Sequence, residues 1–313
     1  MASEYESPLF KRLAPNDTGE TKAHQAGFLV PVGLRPYFPP LADPTPDQPT
    51  TSIPITASLF RGKTALGEVV TRYQFQTWSG KRSPESRFTR NLSALLESAS
   101  GGDYLLIERH IERDSTYRLT LIEKNTAEHE KVAKAAGGEA SGVLKTKEPP
   151  VAEDDIVAAE GELKVSALKP FIAFEQNAQL KSFKRIARGR AFRRLVINAY
   201  YGKCALCHGG LVRADERSEA EAAHIIGRGA MGSDDVRNGV SLCRSHHWAF
   251  DQGMLTIDLD LRVLVSDAAL KHPRNEALAK LTGSKMLLPD PVLLRPHEDA
   301  LKWRMKSVFQ ADE

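Results

Sequence analysis

The chain has 313 residues, 41% of them hydrophobic and 27% charged, and a formal net charge of +3 at pH 7. This length is enough for two globular cores. No apolar run approaches the length of a membrane span or a signal sequence, so the sequence predicts a cytoplasmic protein that does not enter a membrane.

The first predicted element is a polar arm that leads into the strand Phe28 to Val32. By composition alone nothing more follows. The arm, however, contains the pattern KRL-x-x-NDTG-x-T-x-x-HQ-x-G-x-x-x-P-x-G over Lys11 to Gly33. This pattern resembles the amino-terminal effector domain of the restriction enzyme EcoRII. The resemblance implies a β-barrel-like (pseudobarrel) reader of double-stranded DNA, related in fold to the plant B-three transcription-factor domain, that grips the major groove with two arms.

The resemblance implies that the first arm runs from Lys11 to Gln25 and that the second lies between Arg72 and Arg90. Base readout needs donors such as Arg and Gln at base edges, while lysines hold phosphates. For any single arginine here, a solvated surface charge is the alternative. The residues expected to face DNA are Lys11, Arg12, Asn16, Lys22, His24 and Gln25 in the first arm and Arg72, Arg82, Arg87 and Arg90 in the second.

The next segments alternate apolar and polar residues, which is typical of strands. The predicted strands are Ile53 to Leu59, Val69 to Phe75, Tyr104 to Glu108 and Tyr117 to Ile122. From Asn125 to Lys164 the chain is rich in Ala, Glu, Lys and Gly, which indicates a flexible linker with a short helix near Glu128 to Ala136. The predicted organisation is therefore a β domain at 1–124, a linker at 125–165 and a second domain at 166–313.

The second domain is predicted to begin with a basic helix. Phe183 to Tyr201 has helical apolar spacing and no acidic residue. Its cations attract phosphates in a salt-dependent way, although a solvated basic helix is the alternative. The basic residues are Lys184, Arg185, Arg188, Arg190, Arg193 and Arg194. Near the carboxyl end, Pro296 to Phe309 predicts a short helix that packs on this domain.

All three cysteines lie in one stretch that indicates a metal site. Cys204 and Cys207 form a C-x2-C pair, and Cys243 and His246 form a C-x2-H pair further along. Two such turns supply four tetrahedral ligands, so the spacing suits structural Zn²⁺. The alternatives are a redox pair at Cys204 and Cys207, or a lone buried thiol at Cys243.

A second pattern interleaves with these cysteines. His224 lies in the short apolar run Ala222 to Ile226, Asn238 with Gly239 signals a turn, and His247 opens a segment that can continue as a helix. This order of strand, turn, strand and helix brings His224, Asn238 and His247 close together.

The stretch from about 185 to 265 resembles the HNH nucleases and their ββα-metal motif. The matching elements are the C-x2-C pair, Ala-His-Ile, Asn-Gly-x-x-Leu-Cys and His-His-x-x-Phe-Asp-x-Gly. The resemblance implies that His224 is the general base, that Asn238 orients the base and its loop, and that His247 binds a catalytic divalent metal, Mg²⁺ or Mn²⁺. An imidazole is neutral near pH 7, and a hard cation neutralises charge on phosphoryl oxygens, so these residue types suit phosphodiester hydrolysis.

One position departs from the HNH pattern. Many HNH enzymes have an acidic metal ligand directly before the first histidine, where this chain has Ala223. Glu221, Asp251 or a water molecule are the candidates for completing the metal's ligands.

The sequence as a whole predicts an α+β protein that acts as a site-specific DNA endonuclease of a restriction system. Two alternatives stay open: a restriction enzyme that reads a modified base, and a non-catalytic DNA-binding regulator with a zinc-stapled HNH module. Because one HNH site cuts one strand, a double-strand break implies a homodimer or two successive nicks.

Overall fold

The computed structural model describes residues 4–18, 20, 27–78, 83–144, 149–175, 182–213 and 218–309. The chain divides into two compact units, Met1–Asp155 and Ile156–Glu313. Within the described ranges, every helix is too short or too polar to cross a bilayer.

The first unit is built on a large mixed sheet that curls into a half-barrel. From edge to edge its strand order is β2-β5-β4-β3-β7-β6-β1-β8. Neighbouring strands are antiparallel except β3 and β7, which are parallel. The strands are β1 (Leu9–Arg12), β2 (Phe28–Val30), β3 (Thr50–Arg61), β4 (Thr64–Gln76), β5 (Glu85–Thr89), β6 (Tyr104–Arg109), β7 (Thr116–Ile122) and β8 (Ser141–Val143). Its helices are α1 (Pro15–Thr18), α2 (Ser93–Leu96) and α3 (Ala127–Ala136).

The core of this sheet is formed by apolar residues at alternate strand positions, as the sequence predicts. Ile55, Ala57 and Leu59 of β3 are buried at every second position, which puts them on one face of the strand. The stacked rings of Phe28 and Phe88, 5.0 Å apart at their centroids, add to the same core. The four predicted strands are confirmed as parts of β3, β4, β6 and β7. The predicted strand at Phe28 is shorter than expected, because Pro31 lacks an N–H and precedes a 3-10 turn at Val32–Tyr37.

The segment predicted to be a flexible linker contains the helix α3, the strand β8 and the start of a further helix at Glu153. For its described residues, the linker prediction is therefore wrong. The short helix expected within it is confirmed as α3, which starts at a Thr126 cap and stops at Gly137 in the left-handed conformation (φ 61°). β8 pairs with β1, and Val132 and Leu144 are buried in the small cluster that includes Phe10. A composition rich in Ala, Glu and Lys suits a helix as well as a linker, and here burial decides for the helix.

The helix α4 (Glu153–Ser166) contains the boundary between the two units. The second unit continues with α5 (Ser182–Ala199), which confirms the predicted basic helix, and then α6 (Arg244–Asp251), α7 (Asp267–Leu270), α8 (Glu276–Ala279) and α9 (Glu298–Ser307). Its strands form two antiparallel hairpins, β9 (Glu221–His224) with β10 (Gly239–Leu242), and β11 (Leu255–Ile257) with β12 (Val263–Val265). α5 packs against β9 and β10, and α6 follows β10 directly.

Candidate active site

The hairpin β9–β10 sets the frame of the site. In its register, His224 at the end of β9 lies opposite Gly239 at the start of β10. Gly239 lies so close to α5 that an added Cβ would come within 2.5 Å of Val196 and 2.8 Å of Phe192. Glycine at this position therefore lets α5 press directly on the hairpin.

Asn238 is fully buried and joins the two ends of the loop that follows His224. Its Oδ1 accepts a hydrogen bond from the Ile226 N–H at 2.9 Å. Its Nδ2 donates to the carbonyls of Ile226 and Ser233, at 3.2 and 2.9 Å. Because both ends of its amide are used, Asn238 fixes the backbone directly after His224.

The His224 imidazole is held by two neighbours in a fixed orientation. Its Nε2 lies 3.0 Å from Asp234 Oδ1, and the Phe192 ring stacks on it at a centroid distance of 4.0 Å. Asp234 also accepts from Arg228 Nη2 at 2.8 Å. Burial alone would raise the pKa of Asp234, but the His224 hydrogen bond and the Arg228 charge together lower it.

This arrangement determines which nitrogen of His224 can act as a base. Because an ionised carboxylate only accepts hydrogen bonds, Nε2 carries the proton in the neutral ring and Nδ1 keeps its lone pair. Burial lowers the pKa of His224 below its usual range, and the hydrogen bond to Asp234 opposes this only in part. His224 is therefore a neutral imidazole at pH 7 with a basic Nδ1.

His247, on α6, lies between two carboxylates. Its Nδ1 is 2.8 Å from Glu221 Oε2 of β9, and its Nε2 is 3.5 Å from Asp251 Oδ2, one helical turn further on. The hydrogen bond to Glu221 raises the pKa of His247 against the effect of burial. Ala223, where many HNH enzymes have an acid, is fully buried.

The donors around His247 fit a divalent cation at one side of the ring. Two ligands of one octahedral Mg²⁺ lie roughly 3 Å apart, which is close to the separation of His247 Nε2 and Asp251 Oδ2. Glu221 is hydrogen-bonded to the other ring nitrogen, Nδ1. A carboxylate in this position commonly orients a metal-binding histidine.

The predicted zinc ligands converge. One ligand atom each from Cys204, Cys207, Cys243 and His246 lies within 4.8 Å of the others, and no cysteine forms a disulfide. Burial, together with the neighbouring thiols, raises the pKa of Cys243 to about 12. Sulfurs this close need a cation to share their charge when deprotonated, so three thiols and an imidazole fit Zn²⁺.

The cluster also defines where α6 begins. Cys243 is the residue that caps the helix, and its carbonyl accepts from the His247 N–H at 2.8 Å. A metal at this cluster would thus fix the amino terminus of the helix that carries His247.

Residues 204–258 match a family model described as HNH endonuclease. The match spans the hairpin, its loop, His247 and the four Cys and His residues, whereas Phe192 and Val196 of α5 lie outside it. The chain contains an HNH endonuclease domain. The predicted HNH resemblance is confirmed over these residues, and the resemblance of the amino-terminal arm to EcoRII stays a prediction.

One solved structure that aligns with this chain is titled "Modification dependent TagI restriction endonuclease". The two chains are 12% identical, the alignment covers 98% of this chain and 93% of the other, and the TM-score is 0.30. None of the curated proteins is similar enough to this chain to count as a match.

Outside the matched residues, Arg304 of α9 joins two parts of the HNH domain. Its Nη1 donates to the carbonyl of Ile225 at 3.1 Å, and its Nη2 donates to the carbonyl of Phe250. Its guanidinium also lies 3.3 Å over the Phe250 ring. One buried cation therefore ties the residue after His224 to the residue before Asp251. The sequence predicts the helix but contains no signal that singles out this arginine.

The predicted DNA-facing residues of the first unit divide into three groups. Lys11 and Arg87 are buried, which corrects the expectation that they face DNA. Lys11 Nζ is 3.0 Å from Asp17 Oδ2 and 2.6 Å from the Leu29 carbonyl, so this pair of the arm pattern is structural. Arg12, Asn16 and Arg90 are exposed and Arg72 is half-buried; Lys22, His24, Gln25 and Arg82 lie outside the described residues.

Only some of the basic side chains of α5 are exposed to solvent. Lys184 and Arg185 are exposed, whereas Arg190 is fully buried. Next to the HNH site, the Arg228 and Arg244 side chains are 47% and 77% exposed. These positions place cations on the surface of the domain that contains the site.

Proposed function

We propose that this chain is a site-specific DNA endonuclease of a restriction system that cuts phosphodiesters at the HNH site with Mg²⁺ or Mn²⁺. The observation that carries the proposal is the buried His224 imidazole, held through Nε2 by Asp234 and stacked on Phe192. In an HNH endonuclease domain, this leaves Nδ1 free to act as the general base.

The proposed reaction begins at His224. Nδ1 takes a proton from water as the water oxygen bonds to phosphorus. The bond to the leaving sugar oxygen breaks, and that oxygen keeps the electron pair and takes up a proton from solvent. Asp234 stabilises the imidazolium that forms, much as a buried carboxylate does in other base–carboxylate pairs. Because the pKa of His224 is low, the ring then returns its proton readily to solvent.

The other residues position the reacting groups. Asn238 holds the backbone after His224 in place. His247 Nε2 and Asp251 would hold the divalent cation, with Glu221 orienting the ring. The cation, when bound, supplies positive charge against the phosphoryl and leaving oxygens. Zn²⁺ at Cys204, Cys207, Cys243 and His246 would maintain the fold and take no part in the chemistry.

DNA recognition is proposed to come from the first unit. Its exposed Arg12, Asn16 and Arg90 supply donors suited to bases and phosphates. Lys184 and Arg185 of the second unit would contact phosphates, which give affinity without sequence information. Because one HNH site cuts one strand, a double-strand break would need two copies of the chain or two successive nicks.

Cleavage of supercoiled plasmid tests the activity. We expect nicked or linear product with Mg²⁺ or Mn²⁺ and none with a chelator that strips divalent cations. Sequencing the cut ends from methylated and unmethylated genomic DNA then identifies the site. A shared sequence at the ends supports a site-specific reader, and cutting of methylated DNA alone would favour the modified-base alternative. Specific DNA binding with no cutting under either cation would contradict the nuclease proposal and leave the regulator.

A further inference from the structure

The residue directly after His247 is an exposed tryptophan. Trp248 is 61% exposed on α6, whereas its helix neighbours Ala249 and Phe250 are buried. Tryptophan offers a large rigid ring face on which another planar group can stack. Trp248 directly follows His247 in α6, so the two residues are held by the same helix.

Trp248 forms one wall of a cavity of about 350 Å³. Met254, Ala268 and Ala269 contribute apolar surface to it, and His272, Arg274 and Asn275 form its polar side. The volume is at the lower end for small-molecule pockets, which suits one planar ring system better than a protein segment.

On the polar side of the cavity, hydrogen bonds fix the backbone of a short turn, and Arg274 supplies a positive charge. His272 Nδ1 accepts from the Arg274 N–H at 3.2 Å, and Asn275 Nδ2 donates to the Ala269 carbonyl at 2.8 Å. Pro273 adds a fixed φ to this short 3-10 turn. Arg274 itself is exposed, and the cavity's lining in the described chain includes no acidic residue. An occupant with an apolar planar face and an attached anion matches these features.

We propose that Trp248 and this cavity bind one nucleobase of the DNA strand at the HNH site, with Arg274 contacting a neighbouring phosphate. The inference rests on the proposed nuclease function and adds a substrate contact to it. In duplex DNA this base has to leave its stack, and it then stacks on the indole as bases do on aromatic side chains in single-strand binding proteins. This contact positions the strand next to His247 and does not depend on which base is present, because every base has a π face.

The test combines protein variants with abasic DNA. Duplexes containing the cleavage sequence carry a single abasic position at each nucleotide around the cut. With the wild-type chain, we expect one position where loss of the base lowers cleavage roughly 5- to 150-fold. Trp248→Ala should cut intact DNA more slowly by a similar factor and lose nothing further at that position. Trp248→Phe should retain most of the activity, and Arg274→Gln should weaken binding and reduce its salt dependence.

Val292→Ala is the matched control, since Val292 is 62% exposed and does not line the cavity. Its cleavage should equal that of the wild type on every duplex. The proposal is overturned if Trp248→Ala cuts intact DNA within about twofold of the wild-type rate. It is also overturned if, at every abasic position, the drop in rate from the substitution adds to the drop from the missing base. If the wild-type chain cuts no DNA, both the proposed function and the proposed base contact are wrong. If the wild-type chain cuts DNA and Trp248→Ala does not change the rate, only the proposed base contact is wrong.

Discussion

Asp234 Oδ1 accepts a hydrogen bond from His224 Nε2 at 3.0 Å, and the same oxygen accepts one from Arg228 Nη2. The contact selects the tautomer of His224, raises its pKa against the stronger effect of burial, and would stabilise its protonated form. Asp234 is thus the positioning residue of the proposed base.

Asp234→Asn should slow cleavage at least about tenfold, because the imidazolium loses its counter-charge. Removing the carboxylate removes an effect that raises the pKa of His224, so that pKa falls further. The acid limb of the single-turnover rate, measured at saturating divalent cation, should therefore move to lower pH than in the wild type. Asp260→Asn, at an exposed position, should leave both rate and profile unchanged. An acid limb that stays in place would show that His224 is not the titrating base.

Glu221→Gln should weaken binding of Mn²⁺ about 10- to 100-fold, because the carboxylate that orients His247 is lost. The hydrogen bond to Glu221 also raises the pKa of His247, so protons compete with the cation as pH falls through that pKa. In the variant this competition should begin at lower pH. Calorimetric Mn²⁺ titration over a pH series measures both effects, with the exposed Glu276→Gln as control. Unchanged affinity would remove Glu221 from the cation site.

Purified, dialysed protein should contain about one zinc per chain. Cys243→Ser should lose it and should also lower the thermal stability of the second unit, since the metal would no longer hold the four residues together. His208→Ala is the control, because His208 lies in the same region on an exposed position and is not among the four ligands. Elemental analysis and thermal unfolding give the two readouts. A zinc-free chain that stays folded and cuts DNA would contradict a structural role.

Arg304→Met should lower the free energy of unfolding of the second unit by on the order of 3 kcal/mol, because two buried carbonyls lose their donor. Arg304→Lys should recover part of the loss, since an ammonium can still reach one carbonyl. Lys302→Met, on the same helix but exposed, should have little effect. Urea unfolding measures the difference, and an Arg304→Met variant as stable as the control would show that α9 does not support the HNH domain.

The parts of the molecule that follow from local pattern could be predicted from the sequence. Strands such as β3 follow from alternating apolar residues, and the Cys and His ligands follow from fixed spacing in a short stretch. The HNH residues lie within one hairpin and helix, so their proximity depends on short-range structure alone.

What the sequence could not predict depends on burial and on contacts between distant residues. Lys11 looks like a DNA contact in the sequence, but its partner Asp17 and the Leu29 carbonyl take it into the core. Asp234 stands beside Asp235, and only the fold decides that the first contacts His224 and the second Arg237. Arg304 reaches the site from 79 residues away in the chain, a separation at which no local pattern operates.

General-base catalysis by His224 is tested by comparing His224→Ala with the wild type in two assays on the same duplex. A general base contributes to the transition state far more than to ground-state binding, so the variant should bind DNA within about twofold of wild type. Its cleavage rate at saturating Mg²⁺ should fall by roughly 100-fold or more. If the variant keeps more than about a tenth of the wild-type rate while remaining folded and zinc-loaded, His224 is not the base and the proposed mechanism is wrong.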